Sequence, residues 1–161
     1  MSRGFVKDGD IEDVPIVPPR AYLPPGIENY VTPYGLELLQ REREQLIVER
    51  ESHSQGTEAD IRVARNFINA KLALLEERIR TANVVNADGD ASDVVAFGCI
   101  FRLRIDGGNP MTMQIVGVDE ADASQGKISF LSPMARVLIG LHRGTRTTVK
   151  LPIGIREVEI L

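Results

Sequence analysis

Residues 57–82, TEADIRVARNFINAKLALLEERIRTA, decide the fold. Ile61, Ala64, Ile68, Leu72, Leu75, Ile79 and Ala82 recur along them, and from Ile68 the steps of four, three, four and three are those of a coiled-coil a/d seam. Thr57 suits the N-cap of such a helix, and Glu58 and Asp60 fall in its first turn, where carboxylates favour the positive end of the dipole. Just upstream, Ser52-His53-Ser54-Gln55-Gly56 is a cluster of helix breakers. Before that cluster, Leu36, Leu39, Leu46 and Ile47 repeat the helical spacing behind Thr32 as N-cap and Pro33 as first helical residue. Two helices with matching stripes and a short turn predict an antiparallel hairpin. At roughly twenty to twenty-five residues per arm and ~1.5 Å per residue, it projects roughly 30 to 35 Å. Arg41, Glu42, Glu44, Glu49 and Arg50 on one arm, with Arg62, Arg65, Lys71, Glu76, Glu77, Arg78 and Arg80 on the other, leave most of the circumference polar. That favours a projecting coiled coil over a helical pair sunk in a core.

Outward from the hairpin the pattern changes on both sides. Residues 1–31 hold five of the nine prolines and the acidic group Asp8, Asp10, Glu12 and Asp13, so this leader is expected to be largely irregular, draped over the domain through Ile16, Val17, Tyr22 and Leu23. The hairpin occupies 32–83 and a turn-rich linker 84–93. From there to Leu161 the period is two: FGCIFRLRI sets Phe97, Cys99, Phe101, Leu103 and Ile105 on one face, opposite Arg102 and Arg104. Strands are expected at 111–118, 127–131, 147–151 and 155–160, with Ser132-Pro133 opening one short helix that ends at Gly140. The fold class is α+β, a helical hairpin followed by a small, mainly antiparallel sheet domain with one short helix.

Composition narrows the function. The 161 residues are 43% hydrophobic and 26% charged with a formal net charge of -4, so no global basic field holds a phosphate backbone, and no apolar run is long enough for a spanning helix. One cysteine and two distant histidines supply neither a disulfide framework nor a zinc-ligand spacing, and the start of the chain does not read as a secretory signal. A cytoplasmic protein with no membrane contact is expected. His53 reads as a solvated loop residue, Cys99 as an inward thiol, and Gly107-Gly108 as a turn with no helix after it to bind phosphate.

Four stretches then carry a resemblance: NYVTPYGLELL (29–39), RIRTANVV (78–85), VVAFGCIFRL (94–103), and IVGVDEAD (115–122) with QGKISFLSPMARVLIG (125–140). From about Asn29 to Leu161 the chain resembles the bacterial Gre transcript cleavage and elongation factors. The resemblance implies an FKBP-like carboxy-terminal domain that docks on the rim of the RNA polymerase secondary channel, with the coiled coil reaching down the channel. It places the docking segments at Asp119, Glu120, Asp122, Ser132, Pro133 and Met134, where carboxylates steering toward basic groups would make affinity fall with salt.

In the family, acidic residues of a tip motif resembling GDLxENAEY help hold a second magnesium ion, and the polymerase then cleaves backtracked RNA. Here the turn reads ESHSQGTEADIR, and both arms are shorter than the family's. A monomeric accessory protein is therefore expected, one that modulates transcription by occupying the channel. It would have no catalytic residue, metal or cofactor of its own, and would meet nucleic acid only through the polymerase complex. The alternative is a cleavage stimulator in which Glu58 and Asp60 help bind Mg2+ shared with the polymerase. A prolyl isomerase is disfavoured, since fold alone licenses no chemistry and 5% aromatic residues with no tryptophan give little for a proline pocket.

Overall fold

The computed structural model describes residues 15–87 and 93–161, so the acidic group at 8–13 and linker residues 88–92 lie outside the described residues. Helix α1 spans Pro33–Ser52 and α2 spans Glu58–Thr81, 20 and 24 residues, each starting where its cap was expected. Thr32 Oγ1 accepts from the Gly35 amide at 2.9 Å, and Thr57 Oγ1 from the Asp60 amide at 3.2 Å. Leu39, Leu46, Ile68, Leu72 and Leu75 are buried between the arms together with Val31, flanked by Leu36, Ile47, Ile79 and Ala82. Burial thins toward the turn: Val48 and Val63 are 65% and 66% exposed.

Two short strands flank the hairpin. β1 (Asn29–Val31) and β2 (Ala82–Val84) pair in parallel, Asn29 opposite Ala82 and Val31 opposite Val84. The last residues of the leader are therefore extended and paired, a correction to the irregular reading, as is Val84, which was expected to begin the linker. Three-residue strands leave too short a period to be legible without their partner.

The second part is a five-stranded sheet of β3 (Ile100–Ile105), β4 (Met111–Val116), β5 (Lys127–Ser129), β6 (Arg146–Leu151) and β7 (Gly154–Ile160), ordered β5-β4-β3-β7-β6. Helix α3 (Pro133–Leu138) covers it, burying Ala135 and Leu138 against Phe101, Leu103, Ile115, Val149 and Val158. The sheet is mainly antiparallel as expected, with one parallel edge: β5 runs parallel to β4, Gln114 opposite Lys127. Parallel neighbours need a crossover. Residues 117–126 supply it, swinging out from the end of β4 and returning through a 3-10 turn at Ala123–Gln125 to the left-handed Gly126, whose missing side chain would otherwise meet the Thr112 carbonyl oxygen at 2.5 Å. The strand expected from Phe97 begins only at Ile100, because Gly98 turns the chain with φ +82°. Phe101 and Leu103 face inward as expected.

Candidate functional site

Two regions hold the residues singled out from the sequence. The first is the hairpin tip. His53 is the C-cap of α1, its amide donating to the Glu49 carbonyl at 3.1 Å. Gly56 has φ +98°, the left-handed backbone that turns the chain between the arms. Asp60 closes a capping box: Oδ2 accepts from the Thr57 amide and from the Thr57 hydroxyl, both at 2.8 Å. Those bonds, the backbone one first, hold the Asp60 carboxyl below its ordinary value of 3.8. Glu58 is exposed one residue into α2.

The capping box engages one oxygen of Asp60 and leaves Glu58 exposed beside it, so the tip by itself assembles no ligand set for a metal. Magnesium favours oxygen ligands in near-ideal octahedral geometry, and one oxygen of Asp60 is already committed twice within its own helix start. Among the described residues no group of three His, Cys, Asp or Glu is placed to hold a metal ion.

The second region is the junction of hairpin and sheet, where the 117–126 crossover meets the base of the helices. Glu120 is 7% exposed; its Oε2 accepts from the Thr32 hydroxyl at 2.6 Å and its Oε1 lies 3.3 Å from Lys127 Nζ. Lys127 in turn sits 4.5 Å over the Tyr34 ring, so a cation from β5 reaches the first turn of α1. Asp119, with 8% of its side chain exposed, pairs with Arg20 Nε at 3.1 Å and Arg78 Nε at 3.4 Å. The Arg78 contact is an ion pair without hydrogen-bond geometry, and Asp119 Oδ2 has no hydrogen bond. Arg20 also forks onto Glu42 at 2.8 and 3.0 Å. The hydrogen bond to Glu42, then the charge of Asp119, holds the Arg20 guanidinium protonated above its ordinary range.

Backbone and rings close the same junction. A Cβ on Gly117 would stand 2.4 Å from the Tyr30 carbonyl oxygen, so β1 and the crossover touch through their main chains. Tyr30 packs against Phe97 and Phe130, with ring centroids 5.9 and 5.6 Å away.

The expectation that Asp119 and Glu120 present open carboxylates is therefore corrected: both are turned inward and paired with cations of this chain. Each would be costly to bury alone, and the partners that make burial tolerable come from the leader, α2 and β5. Asp122 caps the 3-10 turn, its Oδ1 accepting from the Ser124 amide at 3.0 Å and from the Ser124 hydroxyl at 2.6 Å. Ser132 caps α3 through the Ala135 amide at 3.1 Å; Pro133 is exposed and Met134 half-buried beside it. The open surface nearby is apolar, with Val137 38% and Ile139 41% exposed. Sequence reasoning missed Arg20 and Lys127, and its placing of Arg78 on the solvated face of the hairpin is corrected, since that side chain is 13% exposed against Asp119. Arg20 had one signal, as the lone cation among residues 15–31.

Comparison with known proteins bears on both regions. Residues 90–161 match the family model described as Transcription elongation factor, GreA/GreB, C-term. Transcription elongation factor GreA of Ralstonia nicotianae is 37% identical across 81% of this chain and 93% of its own length. Transcription elongation factor GreB of Neisseria meningitidis serogroup B is 32% identical across 83% of this chain and 92% of its own. Among solved structures, GreA factor homolog 1 of Thermus thermophilus covers 84% of this chain and 97% of its own, at 23% identity and a TM-score of 0.39.

Proposed function

We propose, given that this chain belongs to the GreA/GreB family of transcription elongation factors, that it binds bacterial RNA polymerase at the secondary-channel rim and modulates transcription by occupying the channel with its hairpin. It acts as a monomeric cytoplasmic accessory protein, not itself an enzyme, and touches nucleic acid only within the polymerase complex. The observation that supports this reading is the tip, where Asp60 serves as the capping residue of α2 through its Oδ2. Occlusion needs only an arm of the right width. Metal chemistry needs carboxylate oxygens at about 2.0 to 2.1 Å from magnesium, so an arm shorter by one helical turn, about 5.4 Å, falls short of it.

Docking falls on the globular domain, at the surface presenting Asp122, Ser132, Pro133 and Met134 beside exposed Val137. Asp119 and Glu120 shape that surface from beneath by fixing the crossover. Because their charge is balanced internally, affinity depends on salt less than two open carboxylates would make it.

The test is retention on immobilised core RNA polymerase, followed by incubation of backtracked complexes with magnesium and end-labelled RNA. The expected result is retention of the wild-type chain, loss of retention in Val137→Asp, and RNA shortening no faster than without the protein. Failure to bind refutes the reading. Strong cleavage that disappears in Glu58→Ala/Asp60→Ala replaces it with a cleavage stimulator sharing Mg2+ with the polymerase.

A further inference from the structure

The leader lies along the end of α2 and meets the crossover through Arg20; Val17 and Leu23 are half-buried, but no apolar residue of 15–28 is buried outright. Ile16 and Tyr22 are 94% and 76% exposed, and a cleft of about 840 Å³ opens between residues 17–29 and the end of α2. What holds the leader down is polar. Arg20 contacts Glu42 on α1 and Asp119 on the crossover at once, and Arg78 of α2 donates to the Ala21 carbonyl while also facing Asp119.

The positions of these contacts matter. Thr32 and Glu120, and Tyr30 and Gly117, meet at the base of α1, where a contact acts on a short lever arm against rotation of the hairpin. Glu42 lies ten residues beyond Thr32, about 15 Å along the helix at ~1.5 Å per residue. A bond from that point to the sheet domain acts on a lever arm. Arg20 supplies it with a planar fork that engages one carboxylate bidentately and a second through Nε, a geometry an ammonium cannot copy.

We propose that leader residues 15–28 form an intramolecular clasp, closed by Arg20, that fixes the angle between the hairpin and the sheet domain. Release of Arg20 leaves the hairpin held by the Arg78–Asp119 pair and the contacts at its base, so that it swings more widely about the Tyr30–Gly117 contact while each part stays folded on its own core. The two cores are separate, one between α1 and α2 and one between the sheet and α3, so opening the clasp disrupts neither.

The experiment measures the angle directly and does not involve polymerase, so its outcome is independent of the proposed function. Nitroxide labels are placed at Gln55→Cys on the tip and Ile153→Cys on the β6–β7 turn, in a full-length Cys99→Ala background, and the distance distribution is recorded by pulsed electron spin resonance. The clasped chain is expected to give one narrow distance. Arg20→Ala should broaden the distribution roughly twofold or shift its mean, Glu42→Gln should do the same to a smaller degree, and Arg20→Lys should resemble Arg20→Ala more than wild type. Circular dichroism establishes that each variant is folded. Should Arg20→Ala fail to fold, Glu42→Gln decides, since it alters a half-buried α1 position outside both cores. Unchanged width and mean in the folded variants overturn the proposal.

Discussion

Replacing Thr32 with alanine removes two bonds from one hydroxyl. The oxygen accepts from the Gly35 amide as the N-cap of α1, and its proton goes to Glu120 Oε2 at 2.6 Å. Loss of the cap costs about 1 kcal/mol. A buried carboxylate oxygen left without its donor costs about 1 to 3 kcal/mol more, and Glu120 is 7% exposed, so water does not replace the hydroxyl readily. The expected destabilisation is about 2 to 4 kcal/mol. With a urea dependence of about 2 kcal/mol per molar, the unfolding midpoint should fall by roughly 1 to 2 M with little change in slope. Thr32→Ser keeps both bonds and should stay within about 1 kcal/mol of wild type. Combining Thr32→Ala with Glu120→Gln should cost less than the two singles summed, because the residues share one interaction. If Thr32→Ala changes stability by less than about 0.5 kcal/mol, the value of an uninvolved surface site, the hydroxyl is not joining the two parts.

Leu75, fully buried between the helices, should cost about 2 to 5 kcal/mol as alanine in the same denaturation assay, and an undisturbed midpoint would contradict the seam. Gly117→Ala drives a methyl into the Tyr30 carbonyl and should destabilise by about 1 to 3 kcal/mol; a neutral effect would mean that β1 and the crossover do not touch. The cap at the tip has a pH signature. Since the folded Asp60 carboxyl titrates below 3.8, its contribution is complete above that value and is lost as pH falls through the lower folded value. A carboxyl-carbon NMR titration should place Asp60 below ordinary aspartate, and Thr57→Ala should return it there; an ordinary wild-type value would remove the cap.

The helices were legible because their signals are local. Thr32-Pro33 and Thr57 announce two starts, and the spacing from Ile68 to Ala82 announces the buried stripe without reference to any other part of the chain. Phe101 and Leu103 declare their strand in the same way. The junction was not legible. Asp119 and Glu120 read as surface carboxylates because such residues are seldom buried unpaired; the cations of Asp119 lie 99 residues away at Arg20 and on α2 at Arg78, while Glu120 takes Lys127, seven residues on, which nothing local marks as its partner. Pairing over that separation follows from the crossover, which in turn follows from the parallel placement of β5, and neither leaves a periodic trace in residues 117–126. The three-residue strands β1 and β2 were hidden for a related reason, since their pairing exists only once the hairpin has brought their ends together.

That pairing makes reach and seating separable quantities. With Asn29–Val31 and Ala82–Val84 lying side by side, the chain leaves and re-enters the hairpin at one place, so everything between behaves as an insert on a closed base. Matched removal or addition of seven residues in each arm, between Leu39 and Leu72, would change how far the tip extends while preserving which face meets the partner arm. Neither Tyr30 nor Val85 would have to move. A lineage can therefore retune the length of such a probe in whole heptads while the surface that seats it is inherited unchanged.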